Sequence, residues 1–199
     1  MVKGFGVPED RCVVVPLSYN VTSPKEVFER EPFCLHISLL MDDRKNVKRL
    51  IQAAIKYQFR LVLGGRLHND QDLQTLNSWI DGNKNIEYRG YLSTEEMMSL
   101  YSRAKVFALP STNEGVGIVA LEAASLGCDI VMTSLGGPKE YYNGMAKIVD
   151  PYSVDEIGKA VSSLINGGTF QPELSKYICT NFSMQNISMK LIDAYTSTV

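Results

Sequence analysis

The sequence has neither a basic surplus nor a long apolar run, and both absences narrow what the protein can do. Its 20 lysine and arginine residues are outnumbered by 22 aspartate and glutamate residues, giving a net charge of −2. A nucleic-acid-binding domain would carry a clear basic patch, so we exclude that class of partner. No apolar run approaches the ~18 residues that a membrane-spanning helix requires. The N-terminus also lacks the apolar segment of a secretory signal.

Cysteine and histidine are scarce, with four and two residues. The cysteines form no C-x-x-C pair, so we expect no metal site and reduced thiols in a cytoplasmic protein. His36 and His68 have no partners at a recognisable spacing, and we expect His36 to be a hydrogen-bonded core residue. The nucleophile elbow G-x-S-x-G is absent. No G-x-G-x-x-G follows the first predicted strand, which argues against NAD binding.

What the sequence does contain is a regular alternation of short apolar runs and amphipathic stretches. Predicted strands lie at 33–40, 59–65, 85–91, 105–111, 128–134 and 146–150, and predicted helices at 45–57, 70–82, 93–104, 115–127, 136–142 and 153–167. Such alternation predicts an α/β fold with a Rossmann-like, doubly wound parallel sheet.

The domain boundaries follow from the same pattern. We expect residues 33–170 to form the α/β domain and residues 171–199 to form one or two C-terminal helices. Residues 1–32 do not fit the alternation and are interpreted as a linker that enters from another domain. Within that linker, 11–18 could be an edge strand and 23–30 a short polar helix or loop.

In a doubly wound sheet, ligands bind beyond the carboxyl ends of the strands. That rule nominates the segments 38–46, 64–66, 111–117 and 134–140, and with them Ser38 and Arg66 as ligand contacts. Lys45 follows the first strand and could reach a phosphate as a mobile cation, although an exposed first-turn lysine fits the same position. Glu140 is equally compatible with a ligand contact and with a simple turn.

The segment NEGVGIVALE at 113–122 carries the most specific pattern. If the predicted helix begins at 115, Glu114 and Glu122 are separated by about 12 Å, too far for one metal but suitable for the two ends of an elongated ligand. Gly115 and Gly117 would leave the backbone N–H groups of the helix start open to a phosphate. A helix with an acidic first turn and a solvated Glu122 explains the same residues, so spacing leaves both interpretations open.

The order of these segments resembles the C-terminal, nucleotide-sugar-binding domain of retaining GT-B glycosyltransferases of glycosyltransferase family 4. The most specific match is P-S followed by E-G-x-G-x-x-x-x-E at 110–122. The other matching segments are VVVPLSYN (13–20), SLLMDDRKNVKRLIQA (38–53), LVLGGR (61–66), the stretch from 85 to 127, SLGGPKEY (134–141) and FSMQNISMKLIDAY (182–195).

The resemblance implies roles for the candidate residues. Glu114 would lie near the hydroxyls of the donor sugar and Glu122 would accept hydrogen bonds from the ribose. Lys45 would neutralise the departing diphosphate. Further donor contacts are implied for the backbone of Gly115, Val116, Gly117 and Ile118, and for the strand end near Arg89 and Tyr91.

One position departs from the family. An arginine usually follows the first strand, and Leu39 stands in its place. A charge-assisted hydrogen bond contributes roughly 1.5–3 kcal/mol, so its loss should weaken diphosphate binding. Arg44 or Arg66 could compensate.

Nothing in the chain resembles the family's N-terminal, acceptor-binding domain. We therefore expect a fragment that binds a UDP-, GDP- or ADP-sugar without a metal or other cofactor and does not transfer the sugar alone. The missing half would be its partner and could make a peripheral membrane contact. Two alternatives stay open: a catalytically weakened nucleotide-binding or interaction module, and a GT-B nucleotide-sugar epimerase.

Overall fold

The computed structural model describes residues 6, 8, 11–21 and 29–196. The predicted polar helix or loop at 23–30 therefore lies almost entirely outside the described residues. Residues 11–18 do not form the predicted edge strand, and Tyr19 makes only an isolated parallel bridge to Ser183. Val13 and Val14 are 63% and 87% exposed. Because their side chains do not pack against the sheet, nothing stabilises a strand in this segment.

Six strands form one sheet, with the order β3-β2-β1-β4-β5-β6 and every neighbouring pair parallel. The chain first builds outward from β1 to β3, then crosses back so that β4 lies beside β1. This is the predicted doubly wound arrangement, and its switch point lies between β1 and β4. The strands are β1 (Glu31–Ile37), β2 (Arg60–Gly64), β3 (Ile86–Tyr88), β4 (Ala104–Leu109), β5 (Asp129–Thr133) and β6 (Lys147–Val149).

Seven α-helices are described, and they cover both faces of the sheet. They are α1 (Val47–Tyr57), α2 (Asp70–Ile80), α3 (Thr94–Arg103), α4 (Ile118–Ser125), α5 (Val154–Ile165), α6 (Glu173–Phe182) and α7 (Met184–Thr196). One apolar core joins the sheet to α3, α4, α6 and the start of α7. A second core joins the opposite face to α1, α2 and α5. Since the central strands are buried on both faces, their sequences read as continuous apolar runs.

Two of the helix starts have the sequence Ser-x-x-Glu, which predicts a capping box. At α3 the box is complete, because Ser93 accepts from the Glu96 backbone N–H and Glu96 accepts from the Ser93 backbone N–H. At α5 only half of it forms. Ser153 accepts from the Glu156 N–H, but the Glu156 carboxylate accepts from the backbone N–H of Asp150 at 2.9 Å. The carboxylate therefore fixes the loop after β6 rather than the first residue of the helix.

Candidate functional site

Lys45 lies in a tight turn between β1 and α1. A short 3-10 helix, Asp43–Lys45, is capped by Asp42, whose side chain accepts from the Arg44 N–H. Asn46 ends the turn in the left-handed conformation with φ 58°. Helix α1 consequently begins at Val47, two residues later than predicted.

The turn is connected to the loop that follows β4. The side-chain amide of Asn46 donates to the carbonyls of Pro110 at 2.8 Å and Pro151 at 2.6 Å. The backbone N–H of Thr112 donates to the Arg44 carbonyl at 2.8 Å. The bonds to Pro110 and from Thr112 join the carboxyl ends of β1 and β4, and the bond to Pro151 adds the segment after β6. The two sides of the switch point are therefore held together before any ligand binds.

Glu114 meets Lys45 across this connection. Its Oε2 accepts from Lys45 Nζ at 2.7 Å and from Ser111 Oγ at 3.2 Å. Both side chains are mostly buried, with 23% of Lys45 and 12% of Glu114 exposed. Ser111 is fully buried. It begins the nominated segment 111–117, but no role was predicted for its side chain. Within the described residues, Oε1 of Glu114 accepts no hydrogen bond and is free to receive one.

The predicted helix start at 115 is wrong. Helix α4 begins at Ile118, and Gly117 precedes it in the left-handed conformation with φ 72°. Glu114 therefore lies in the loop before the helix, and the helical rise behind the 12 Å estimate does not apply to it. No side chain caps α4. The backbone N–H groups of Ala120 and Leu121 donate to the Gly117 carbonyl, which leaves those of Ile118 and Val119 and the positive end of the helix dipole available to an anion.

These groups surround one cavity of about 340 Å³. Leu17 and Val119 form part of its lining. The rest of the lining consists of six predicted site residues: Lys45, Glu114, Gly115, Val116, Gly117 and Ile118. Gly136 lies behind the cavity with φ 80°, and a Cβ there would collide with the carbonyl oxygen of Glu114. The glycine-rich turn after β5 therefore supports the loop that carries Glu114. Glu140 is exposed on the following 3-10 helix and does not line this cavity.

A second cavity, of about 290 Å³, lies at the ends of β1 and β2. It brings together Ser38, Arg66 and Tyr91 from three separate predicted segments. The lining also contains Leu39, which is 52% exposed. The remaining lining residues are Ile37, Gly65, Leu92 and Met97.

The structure distinguishes the two cations that could replace the expected arginine. Arg44 is paired with Asp42 at 2.6 Å, and 66% of its side chain is exposed. Arg66 lines the same cavity as Leu39. Arg66 is therefore the better placed of the two to supply a positive charge beside Leu39.

Arg89 is not brought to the cavity that Tyr91 lines. Its Nε pairs with Glu87 Oε1 at 2.7 Å. Its side chain lines a separate space of about 370 Å³ against α3, with Glu95 and Glu96 among the neighbouring groups. A base contact by Arg89 would have to be made by its other N–H donors or compete with Glu87.

Glu122 is half-buried in the second turn of α4 and does not line the 340 Å³ cavity. Its Oε2 accepts from the hydroxyl of the fully buried Tyr101 at 3.4 Å. Burial raises the pKa of Glu122, while the Tyr101 bond acts in the opposite direction. Without a ligand, the Glu122 carboxylate is therefore partly shielded from water and accepts a long hydrogen bond from Tyr101.

Replacing Glu122 with glutamine should stabilise the ligand-free chain at pH 8. Because the folded-state pKa of Glu122 is raised, ionisation costs stability in full above that pKa, and this cost declines as the pH falls from the folded-state pKa to the unfolded-state pKa. In thermal unfolding, the melting temperature of E122Q should therefore exceed that of wild type at pH 8. The two melting temperatures should converge as the pH falls toward 4. A lower melting temperature for E122Q at pH 8 would contradict this account.

The described part of the chain contains no helix that is long and apolar enough to cross a membrane. Nor do the described residues include a group of three or more histidine, cysteine, aspartate or glutamate side chains able to hold a metal ion. Of the cysteines, Cys34 and Cys128 are buried, whereas Cys12 and Cys179 are exposed, and all four are free thiols.

Comparison with known proteins agrees with the geometry. The family model described as glycosyl transferases group 1 matches residues 19–180. The O-antigen chain mannosyltransferase B of Escherichia coli is 27% identical over 98% of this chain, which spans 57% of that relative's length.

Two solved structures share the fold. The C-terminal domain of a group 1 family glycosyl transferase from Francisella tularensis has a TM-score of 0.65 at 22% identity, covering 77% of this chain and 87% of that one. HepE from Anabaena, solved in complex with UDP, has a TM-score of 0.70 at 20% identity, covering 83% of this chain and 49% of that one.

Proposed function

Because this chain belongs to the group 1 glycosyl transferases, we propose that it binds the sugar donor of an enzyme that transfers sugar from a nucleoside diphosphate to an acceptor. One observation carries the proposal: Lys45, Glu114 and the uncapped start of α4 converge on a single cavity at the switch point of the sheet. The three groups offer a cation, a hydroxyl acceptor and an anion-binding helix end within one space.

In this proposal the diphosphate lies between Lys45 and the first turn of α4. The Lys45 ammonium has three N–H donors, so it can bind a phosphate oxygen and keep Glu114 as a second partner. Negative charge grows on the diphosphate as the sugar–oxygen bond breaks. A fixed cation and a helix dipole aimed at that charge stabilise the departing group, and no metal is required.

The donor sugar is placed against Glu114. Ser111 and Lys45 occupy Oε2, which fixes the carboxylate and directs its unoccupied Oε1 to a sugar hydroxyl. Glu122 would bind the ribose, and Tyr91, which is 76% exposed, offers a ring face to the base. We further propose that the sugar is transferred with retention through an oxocarbenium-like state.

The chain spans little more than half of the mannosyltransferase that it resembles. Transfer is therefore proposed for a longer protein in the cytoplasm, with an acceptor-binding half that could also contact a membrane. The isolated chain should bind the donor and leave it intact.

Calorimetric titration with UDP, GDP, ADP and their sugars tests the proposal. UDP is included because it is bound in the HepE structure, and mannose-bearing donors because the E. coli relative is a mannosyltransferase. We expect one nucleotide series to bind at least tenfold more tightly than the others. Absence of binding by all of them, with the chain shown to be folded by circular dichroism, would refute the donor site.

Leu39 supports a second candidate function, a nucleotide-binding module with weakened transfer activity. The side chain is half-exposed at the rim of the 290 Å³ cavity, where no buried cation replaces the expected arginine. Normal turnover by the full-length protein with Leu39 in place would dismiss this candidate.

The variant Leu39→Arg should raise the affinity of the isolated chain for the preferred nucleoside diphosphate. A new charge-assisted bond contributes roughly 1.5–3 kcal/mol, so we expect a gain of about tenfold or more. The exposed rim leaves room for the longer side chain. Titration of L39R beside wild type measures the gain, and unchanged affinity would indicate that Arg66 already supplies the charge.

A further inference from the structure

His36 is a fully buried side chain that the proposed mechanism does not use. It lies in β1 beside the switch point. Its Nδ1 is 2.8 Å from the carbonyl oxygen of Ala108 in β4, and its Nε2 is 2.7 Å from Ser38 Oγ. This confirms the expectation of a hydrogen-bonded core histidine. It also connects that histidine to the serine that lines the 290 Å³ cavity.

The two partners determine where the protons lie. A carbonyl oxygen only accepts, so Nδ1 must carry the proton that faces Ala108. In the neutral ring Nε2 then has a lone pair, and the Ser38 hydroxyl must donate to it. Burial lowers the pKa of His36 to about 4, against the opposing effect of the Ala108 bond. The ring is therefore neutral near pH 7, and the direction of both bonds is set.

The backbone of Ser38 is fixed as firmly as its side chain. Its N–H donates to the Gly64 carbonyl at 3.2 Å. Gly65 lies against the Ser38 carbonyl so closely that a Cβ would collide with it. With its only hydroxyl proton given to His36, Ser38 presents lone pairs alone to a cavity whose other lining includes Ile37 and Leu39.

We propose that His36 is a positioning residue, which takes the Ser38 proton and so fixes Ser38 Oγ as an acceptor for an N–H or O–H group of the bound nucleoside. This inference rests on the proposed function. It assigns the direction of one hydrogen bond between the site and its ligand. A phosphate oxygen, which only accepts at neutral pH, is disfavoured beside Ser38 and is directed to the Lys45 cavity. The nucleoside end of the donor takes the cavity that Ser38 lines.

Nitrogen NMR of the wild-type chain tests the proton assignment without any substitution. The chain has two histidines, and His68→Phe assigns both signals. At pH 7 we expect His36 to show a protonated Nδ1 and an unprotonated Nε2. Ser38→Ala should move the Nε2 signal of His36 and leave His68 unchanged. Protonation on Nε2 instead would overturn the proposal.

Binding measurements test the consequence. His36→Phe removes the acceptor, His36→Gln can restore one near the position of Nε2, and His68→Phe is a matched control at an exposed loop position. With the tightest binder among UDP, GDP and ADP, we expect H36F to lose about fivefold in affinity, within the range for one neutral hydrogen bond. H36Q should recover part of the loss, and H68F should match wild type. Pyrophosphate, which has no nucleoside, should bind H36F and wild type equally.

Each outcome separates this inference from the function on which it rests. If wild type binds none of the nucleotides, the donor site itself is refuted. If wild type binds but H36F binds equally well, or loses pyrophosphate affinity to the same extent, His36 does not position Ser38. Should H36F fail to fold, the comparison moves to S38A, which must lose nucleotide affinity and keep pyrophosphate affinity for the inference to stand.

Discussion

The isolated chain with Lys45 replaced by alanine should bind nucleoside diphosphates about 100-fold more weakly than wild type. Lys45 is the cation that reaches the 340 Å³ cavity, and charge-assisted hydrogen bonds of roughly 1.5–3 kcal/mol correspond to losses of about 10- to 150-fold. The upper part of that range is expected because most of the lysine side chain is shielded from water. The substitution also leaves Glu114 unpaired beside the incoming phosphates, which adds repulsion to the lost attraction.

Lys48→Ala is the matched control for this prediction. Lys48 lies three residues further along the chain, in the first turn of α1, and its Nζ is 5.9 Å from the centre of the Trp79 ring. K48A removes the same charge without touching the cavity, so it should change affinity less than about threefold. Calorimetry at two salt concentrations compares the variants. Equal losses in K45A and K48A would mean that general charge attraction, rather than a placed cation, holds the diphosphate.

The alternation of elements was enough to predict the parallel sheet. Short connections between the predicted strands implied a parallel, doubly wound sheet, and every strand-end segment that was nominated does lie at its carboxyl edge. The reason is that burial on both faces imposes continuous apolar runs, which are visible in the sequence. The sequence alone predicts that Lys45 and Glu114, 69 residues apart, lie on one edge of the sheet.

Contacts within the site could not be predicted, because they depend on local backbone conformation. The left-handed residues Asn46 and Gly117 each delay a helix start, so that α4 begins four residues after Glu114 rather than directly after it. Hydrophobic periodicity carries no signal for either change. Likewise, Arg89 pairs with Glu87 on its own strand end, a competition between ion-pair partners that spacing does not reveal.

Gly65→Ala should be the most destabilising of the glycine substitutions around the site. We expect it to lower the free energy of unfolding by about 3 kcal/mol or more. Gly65 has φ 148°, and a Cβ would collide with the carbonyl of Ser38. Strain in such a conformation costs about 1–3 kcal/mol, and overpacking against atoms that cannot move aside costs a similar amount. Because Ser38 is bonded to Gly64 in the adjoining strand, its carbonyl cannot retreat without disturbing the β1–β2 pairing.

Gly82→Ala separates the cost of backbone strain from the cost of overpacking. Gly82 also has a positive φ, of 68°, but no atom lies within 4 Å of its missing Cβ. It should therefore show the conformational cost alone, about 1 kcal/mol. Urea unfolding of both variants, with the slope of the transition unchanged, gives the difference directly. If G65A costs no more than G82A, the β2 end can move away from Ser38, and Ser38 is then not held firmly enough for His36 to fix its polarity.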